Sequence, residues 1–175
     1  FTLMMKASEC IEPARVVEAC RVVSKAAGAA GMVGGQAIDM EFTARPGVDM
    51  DELKNMHARK TGALITCACE SGAVLAGATD EQRANAREYG AAIGLAFQIV
   101  DDILDVVGDE TALGKPVGSD QDKGKTTYPA LVGLEESRKL AEKALLRALR
   151  AIGDYQGQQA AFLRDLAQYI VERAS

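Results

Sequence analysis

The stretch Gly94-Leu-Ala-Phe-Gln-Ile-Val-Asp-Asp-Ile-Leu-Asp-Val-Val-Gly-Asp109 decides how this chain folds. Ile99, Val100, Ile103, Leu104, Val106 and Val107 fall on several faces of one helix. A helix apolar almost all the way round lies inside a bundle. Yet the same turns carry Gln98, Asp101, Asp102, Asp105 and Asp109, which at 3.6 residues per turn share an arc of about 100°. Gly94 lies on that arc and leaves room for close approach to the backbone.

Four carboxylates on one stripe repel one another and resist leaving water. Buried Asp is rare, so an isolated acidic stripe is ordinarily a solvated face. A solvated face, however, mixes signs, and no Lys or Arg is interleaved here. The favoured reading is therefore a polar cavity holding Mg²⁺. Hard cations that retain several waters suit clustered carboxylates and phosphate oxygens. No Cys or His sits nearby, which argues against zinc.

The rest of the chain agrees with a bundle. Its 175 residues are 48% hydrophobic and 26% charged, with a formal net charge of −5, an ordinary globular profile for which one domain over 1–175 is the default. Aromatics are scarce at 5% while Ala and Gly are abundant, which suits closely packed helices better than a sheet. No basic patch points to nucleic acid, and no apolar run approaches a membrane span. Cys10, Cys20, Cys67 and Cys69 have no metal spacing. Without a secretory segment they read as reduced thiols in a cytoplasm.

In chain order, Pro13 opens a helix that Gly28 closes. Gly31 to Met40 reads as a short helix whose Gly34 and Gly35 must be offset by close packing, at roughly 1 kcal/mol each against Ala. Gln36 there is either a ligand contact or a buried amide. Phe42–Val48, with Pro46-Gly47, reads as a turn. Asp49 to about Ala76 reads as one long helix capped by Asp49 or Asp51. His57, Lys60, Thr61 and Leu64 share a face of it. His57 by itself reads as a structural histidine. Lys60 either snorkels to solvent or aims at an anion in a cavity. Thr79 caps the central helix, Asp80–Val107. A loop with Lys115, Asp120, Asp122, Lys123 and Lys125 follows. Its Gly118 and Gly124-Lys125-Thr126 imitate a phosphate-binding loop, but five residues separate the glycines and no strand precedes them. A short helix at Ala130–Leu134 and amphipathic helices at Glu135–Ile152 and Gln158–Ala174 complete an all-α reading.

Together these segments resemble the C-terminal part of the trans-isoprenyl diphosphate synthases. The matching segments are Gly34-Gly35-Gln36, His57-Ala-Arg-Lys-Thr-Gly62, Gly94-Leu-Ala-Phe-Gln98, Asp101-Asp-Ile-Leu-Asp105, Gly108-Asp109, Leu113-Gly-Lys115 and Gly124-Lys-Thr-Thr-Tyr-Pro129. They occur in the family's order, and Tyr128-Pro129 and Gly133-Leu-Glu135 look most like its bacterial farnesyl branch. The resemblance implies an all-α helical bundle of the isoprenoid synthase type. It implies that Asp101, Asp102 and Asp105 hold Mg²⁺ bound to an allylic diphosphate. Lys60, Lys115 and Lys125 match positions that contact that diphosphate. Thr61 and Gln98 match positions beside the allylic carbon. The substrates implied are an allylic diphosphate and isopentenyl diphosphate, with a farnesyl or geranylgeranyl product, in a homodimer or other self-associated form.

The family's first aspartate-rich motif and its basic isopentenyl diphosphate site have no match here. Both lie upstream in complete members. The chain is therefore expected to be a C-terminal piece, to self-associate through the face its missing helices would cover, and to be inactive unaided. The alternatives are a non-catalytic partner subunit and a terpene cyclase of similar architecture.

Overall fold

The computed structural model describes residues 1–43, 45, 47–107 and 126–173, and the elements among them are helical, with no strand. Helix α1 is Thr2–Lys6, followed by a 3₁₀ turn at Ala7–Glu9. Helix α2, Pro13–Ala27, starts where the Glu12 carboxylate accepts from the amides of Ala14 and Arg15, with Pro13 in the first helical position. Helix α3, Met32–Thr43, runs past the expected stop at Met40 into the segment read as a turn. Thr43 Oγ1 bonds back to the Asp39 carbonyl at 3.0 Å and continues the last turn. The change of direction comes later, at Gly47 with φ 77°. Pro46 lies outside the described residues.

The helix expected from Asp49 to Ala76 is not uninterrupted. Helix α4, Met50–His57, begins with a capping box between Asp49 and Glu52. A π-helical segment, Ala58–Gly62, follows and leads into α5, Ala63–Ala76, which ends at Gly77 with φ 75°. Helical periodicity alone does not reveal one wide turn inside a long helix. Such turns widen the coil and re-aim the side chains they carry, and they are frequent at functional sites. This one carries Lys60 and Thr61.

Helix α6, Asp80–Val107, has the expected bounds, and Thr79 and Gln82 exchange capping hydrogen bonds at its start. Its 28 residues span about 42 Å at 1.5 Å per residue. It packs on α5 along one side and on α8, Leu134–Ala151, along another, with α7, Tyr128–Val132, and α9, Gln158–Glu172, completing the layer. Helix α7 begins two residues before the expected Ala130, because Thr127 Oγ1 caps the Ala130 amide at 3.3 Å, and Gly133 separates it from α8. One apolar cluster joins Leu53, Met56, Ile99, Val100, Ile103 and Tyr128; a second joins Tyr89, Ile93, Ala148 and Ile152. Val106 and Val107, at the end of α6, are 36% and 45% exposed, so its apolar girdle is complete only as far as Ile103. No helix among the described residues is long and apolar enough to cross a membrane.

Two glycines set the position of the π segment. A Cβ on Gly94 would lie 3.1 Å from the Gly62 Cα, so α6 crosses the end of the segment almost backbone to backbone. A Cβ on Gly35 would lie 2.2 Å from the Lys60 amide nitrogen, so α3 presses on its middle. Backbone cannot yield as a side-chain tip can. Gly35→Ala is therefore expected to destabilise by about 1–3 kcal/mol through overpacking. Gly72, exposed in α5 with nothing within 4 Å of a Cβ, is the control. Gly72→Ala should leave stability unchanged or raise it by up to about 1 kcal/mol. Paired thermal melts followed by circular dichroism check both.

Candidate functional site

Four elements meet around the C-terminal half of α6. The π segment places Thr61 against Gln98, and the Thr61 hydroxyl donates to Gln98 Oε1 at 3.0 Å. Gln98 Nε2 in turn donates to Asp102 Oδ1 at 3.3 Å, one turn along the helix. Asp102 Oδ2 accepts the Tyr128 backbone amide at 3.0 Å, at the first residue of α7. Thr61, Gln98, Asp102 and Tyr128 thus form a relay that ties the π segment to the start of α7. The relay orients the Gln98 amide, and it spends the Thr61 proton so that the remaining lone pairs of Oγ1 face elsewhere.

Lys60 neither snorkels nor stands alone. Its Nζ lies 2.6 Å from Asp39 Oδ2 on α3, with the two side chains 31% and 14% exposed. The ammonium keeps two further donors, so the pair fixes one end of Lys60 while leaving it able to meet an anion. Asp39 was not singled out from the sequence. The available signal was its position one turn after Gly35, on the α3 face that presses against the Lys60 backbone. Gln36, by contrast, is exposed, which rules out the buried amide considered for it.

The acidic residues of the stripe sit unequally. Asp102 and Asp105 are 3% and 1% exposed, and Asp101 is half-buried. Asp102 accepts a hydrogen bond on each oxygen, and Asp101 and Asp105 lie one helical turn apart on α6. Asp109, Lys115 and Lys125, the other members of the expected site, lie outside the described residues, as does the loop with the Gly118 and Gly124 glycines. His57 is buried at 8% exposure with its ring 5.6 Å from that of Tyr128, the structural placement expected of it. Tyr128 itself is fully buried, and burial together with the nearby Asp102 carboxylate pushes its phenol well above the usual range.

Mg²⁺ fits this donor set in kind. Among the described residues no three His, Cys, Asp or Glu side chains converge into a complete metal cage. Mg²⁺ does not require one, because it is commonly held by one or two carboxylates, waters and phosphate oxygens. Asp101 and Asp105 would offer hard oxygen donors of that kind.

The polyprenyl synthetase family model matches residues 1–165. The chain is 44% identical over 154 residues to the farnesyl diphosphate synthase of Escherichia coli, covering 86% of this chain and 51% of that protein. Among solved structures it resembles an FPP/GFPP synthase from Zymomonas mobilis, at TM-score 0.83 and 31% identity, covering 97% of this chain and 55% of the other. It also resembles a geranyltransferase from Helicobacter pylori complexed with magnesium and isoprenyl diphosphate, at TM-score 0.75 and 28% identity, covering 93% and 53%. The chain spans about half the length of the curated relatives it matches.

Proposed function

Because the chain belongs to the polyprenyl synthetase family, we propose that it forms the diphosphate-activating wall of a prenyltransferase, which condenses an allylic diphosphate with isopentenyl diphosphate head to tail. The observation that carries this reading is the π segment: it carries Lys60 next to Thr61 and bonds Thr61 to Gln98, which in turn bonds Asp102 on α6. Such a reaction must disperse negative charge on a leaving diphosphate and positive charge on an allylic carbon within a few ångströms of each other.

The chain has separate groups for each task. Lys60, held by Asp39, presents an ammonium to the departing diphosphate, and Lys115 and Lys125 join it. Asp101 and Asp105, with Asp102 behind them, would hold Mg²⁺, which when bound supplies further positive charge to the diphosphate oxygens. Thr61 Oγ1 and Gln98 Oε1 turn their negative ends toward the allylic carbon as its bond to oxygen breaks. Fixed dipoles of this kind cost no reorganisation when the charge develops. The double bond of isopentenyl diphosphate then forms the new carbon–carbon bond, and loss of a proton regenerates an allylic diphosphate. We assign a farnesyl or geranylgeranyl product.

Residues 1–175 act as one helical domain in this reading. In this reading the chain self-associates; Leu3, Met5 and Val17 on α1 and α2 are among its exposed apolar side chains. Four unpaired thiols fit a cytoplasmic protein.

The test is diphosphate binding with and without metal. Clustered carboxylates hold Mg²⁺ weakly until an anion adds oxygens, and they repel the anion until the metal arrives. Calorimetry should therefore show inorganic diphosphate binding that Mg²⁺ strengthens, and Asp101→Asn with Asp105→Asn should remove the strengthening. An affinity indifferent to Mg²⁺ contradicts the assignment.

A further inference from the structure

About 21 Å along α6 from the acidic stripe, the rise of the 14 residue steps from Arg87 to Asp101, lies a second charged site. It is a cavity of about 550 Å³ between α2, the π segment with α5, and the first half of α6. Arg21, Lys25, Arg83 and Arg87 line it. Its volume lies within the range of small-molecule sites. Ala26, Ala30, Gly31, Ala58 and Ala63 leave this space open because they offer at most a methyl group to fill it.

The charges are organised rather than scattered. Glu70, 9% exposed, accepts from Arg83 at 2.9 and 2.7 Å and from Arg87 at 2.9 and 2.6 Å. Glu18 accepts from Arg21 at 2.6 and 2.7 Å and from Arg83 at 2.6 Å. Arg21 and Arg83 hold Glu18 ionised down to about 2, so both carboxylates keep their charge across the neutral range. Four cations thus face two carboxylates, an excess of two positive charges in a chain whose net charge is −5.

A staple between helices would account for part of this, since the Glu18–Arg83 pair ties α2 to α6. It does not account for Lys25, which is exposed and pairs with no carboxylate among the described residues, nor for Arg21, which pairs only within its own helix. Glu70 and Glu18 hold the guanidinium forks in place and leave other N–H donors of each fork uncommitted. An arrangement of that kind is pre-ordered for phosphate oxygens, which Arg meets with two parallel bonds.

We propose that this cavity is a second anion site, one that takes a diphosphate group without metal. It is independent of the reaction proposed above, because none of its residues belongs to the acidic stripe or its relay. The diphosphate could arrive as the inorganic ion or as the head of an ester, and the two are separated by titrating inorganic diphosphate and dimethylallyl diphosphate in parallel.

Calorimetry on the whole chain in EDTA tests the site with those two probes. Wild type and Lys60→Ala should bind at least one of them equally well. A double variant, Arg21→Gln with Lys25→Gln, should lose at least tenfold in affinity. Both positions are exposed, and unchanged melting curves establish that the double variant folds. In a parallel titration followed by NMR, the Nε–H signals of Arg83 and Arg87 should move. Absence of metal-free binding, equal binding by the double variant, or loss of binding in Lys60→Ala instead would each overturn the proposal. The last outcome would assign the anion to the Lys60 site.

Discussion

Lys60→Ala should lower kcat/KM of the proposed prenyltransferase activity by roughly 30- to 1,000-fold, the equivalent of about 2–4 kcal/mol of lost transition-state stabilisation. The charge it removes is needed most as the diphosphate departs, so the loss falls mainly on kcat. Lys60 is also the partner of the half-buried Asp39 at 2.6 Å. Its removal leaves that carboxylate without its cation, so a melting curve should fall too. The two effects are separable. Lys60→Ala combined with Asp39→Asn removes the orphaned charge and should recover much of the stability but none of the turnover. If the double variant regains activity along with stability, Lys60 is a structural cation. If Asp39→Asn alone lowers turnover without changing stability, Asp39 orients the ammonium and is a positioning residue for it.

The second large effect is expected at Asp102, and it is one of stability. Its carboxylate, 3% exposed, accepts the Tyr128 amide and the Gln98 side chain. Asp102→Ala would leave a buried backbone N–H without its acceptor at the start of α7 and loosen the orientation of Gln98. A hydrogen bond to a charged group is worth about 1.5–3 kcal/mol, and stranding its buried partner costs a similar amount. We expect a loss of about 2–4 kcal/mol, with the Tm falling by roughly 2–4 °C per kcal/mol in a domain of this size. Asp102→Asn keeps an acceptor oxygen and should recover most of this stability. Urea and thermal unfolding of both variants provide the check, and equal stability of wild type and Asp102→Ala would show that the relay does not hold α7 in place.

Much of the helical framework was legible in the residues because its signals are local. Pro13 and Glu12 start α2, Asp49 and Glu52 start α4, Thr79 and Gln82 start α6, and each rests on contacts within four positions. The burial of Ile99, Val100 and Ile103 followed from their spread around one helix. The features that were not legible depend on distant neighbours. A five-residue π segment has no period of its own to detect, and the close approach of Gly35 and Gly94 to it comes from two other helices. Asp39 reads as an ordinary helical acid until α3 is laid on the π segment. The Tyr128 amide becomes a partner of Asp102 only when α7 packs on α6. The same holds for the cavity beside Glu70, whose charged groups are spaced far apart along the chain and meet only in the bundle.

What ties these elements to one activity in the proposed reading is the π segment, which carries Lys60 and bonds Thr61 to Gln98, itself bonded to Asp102. The measurement that bears on it most directly is incorporation of radiolabelled isopentenyl diphosphate into an allylic acceptor by the full-length protein. We predict Mg²⁺-dependent formation of a longer prenyl diphosphate, reduced at least a hundredfold by Asp101→Asn together with Asp105→Asn while the protein remains folded. Turnover that needs no isopentenyl diphosphate, or condensation that survives loss of both carboxylates, would contradict it.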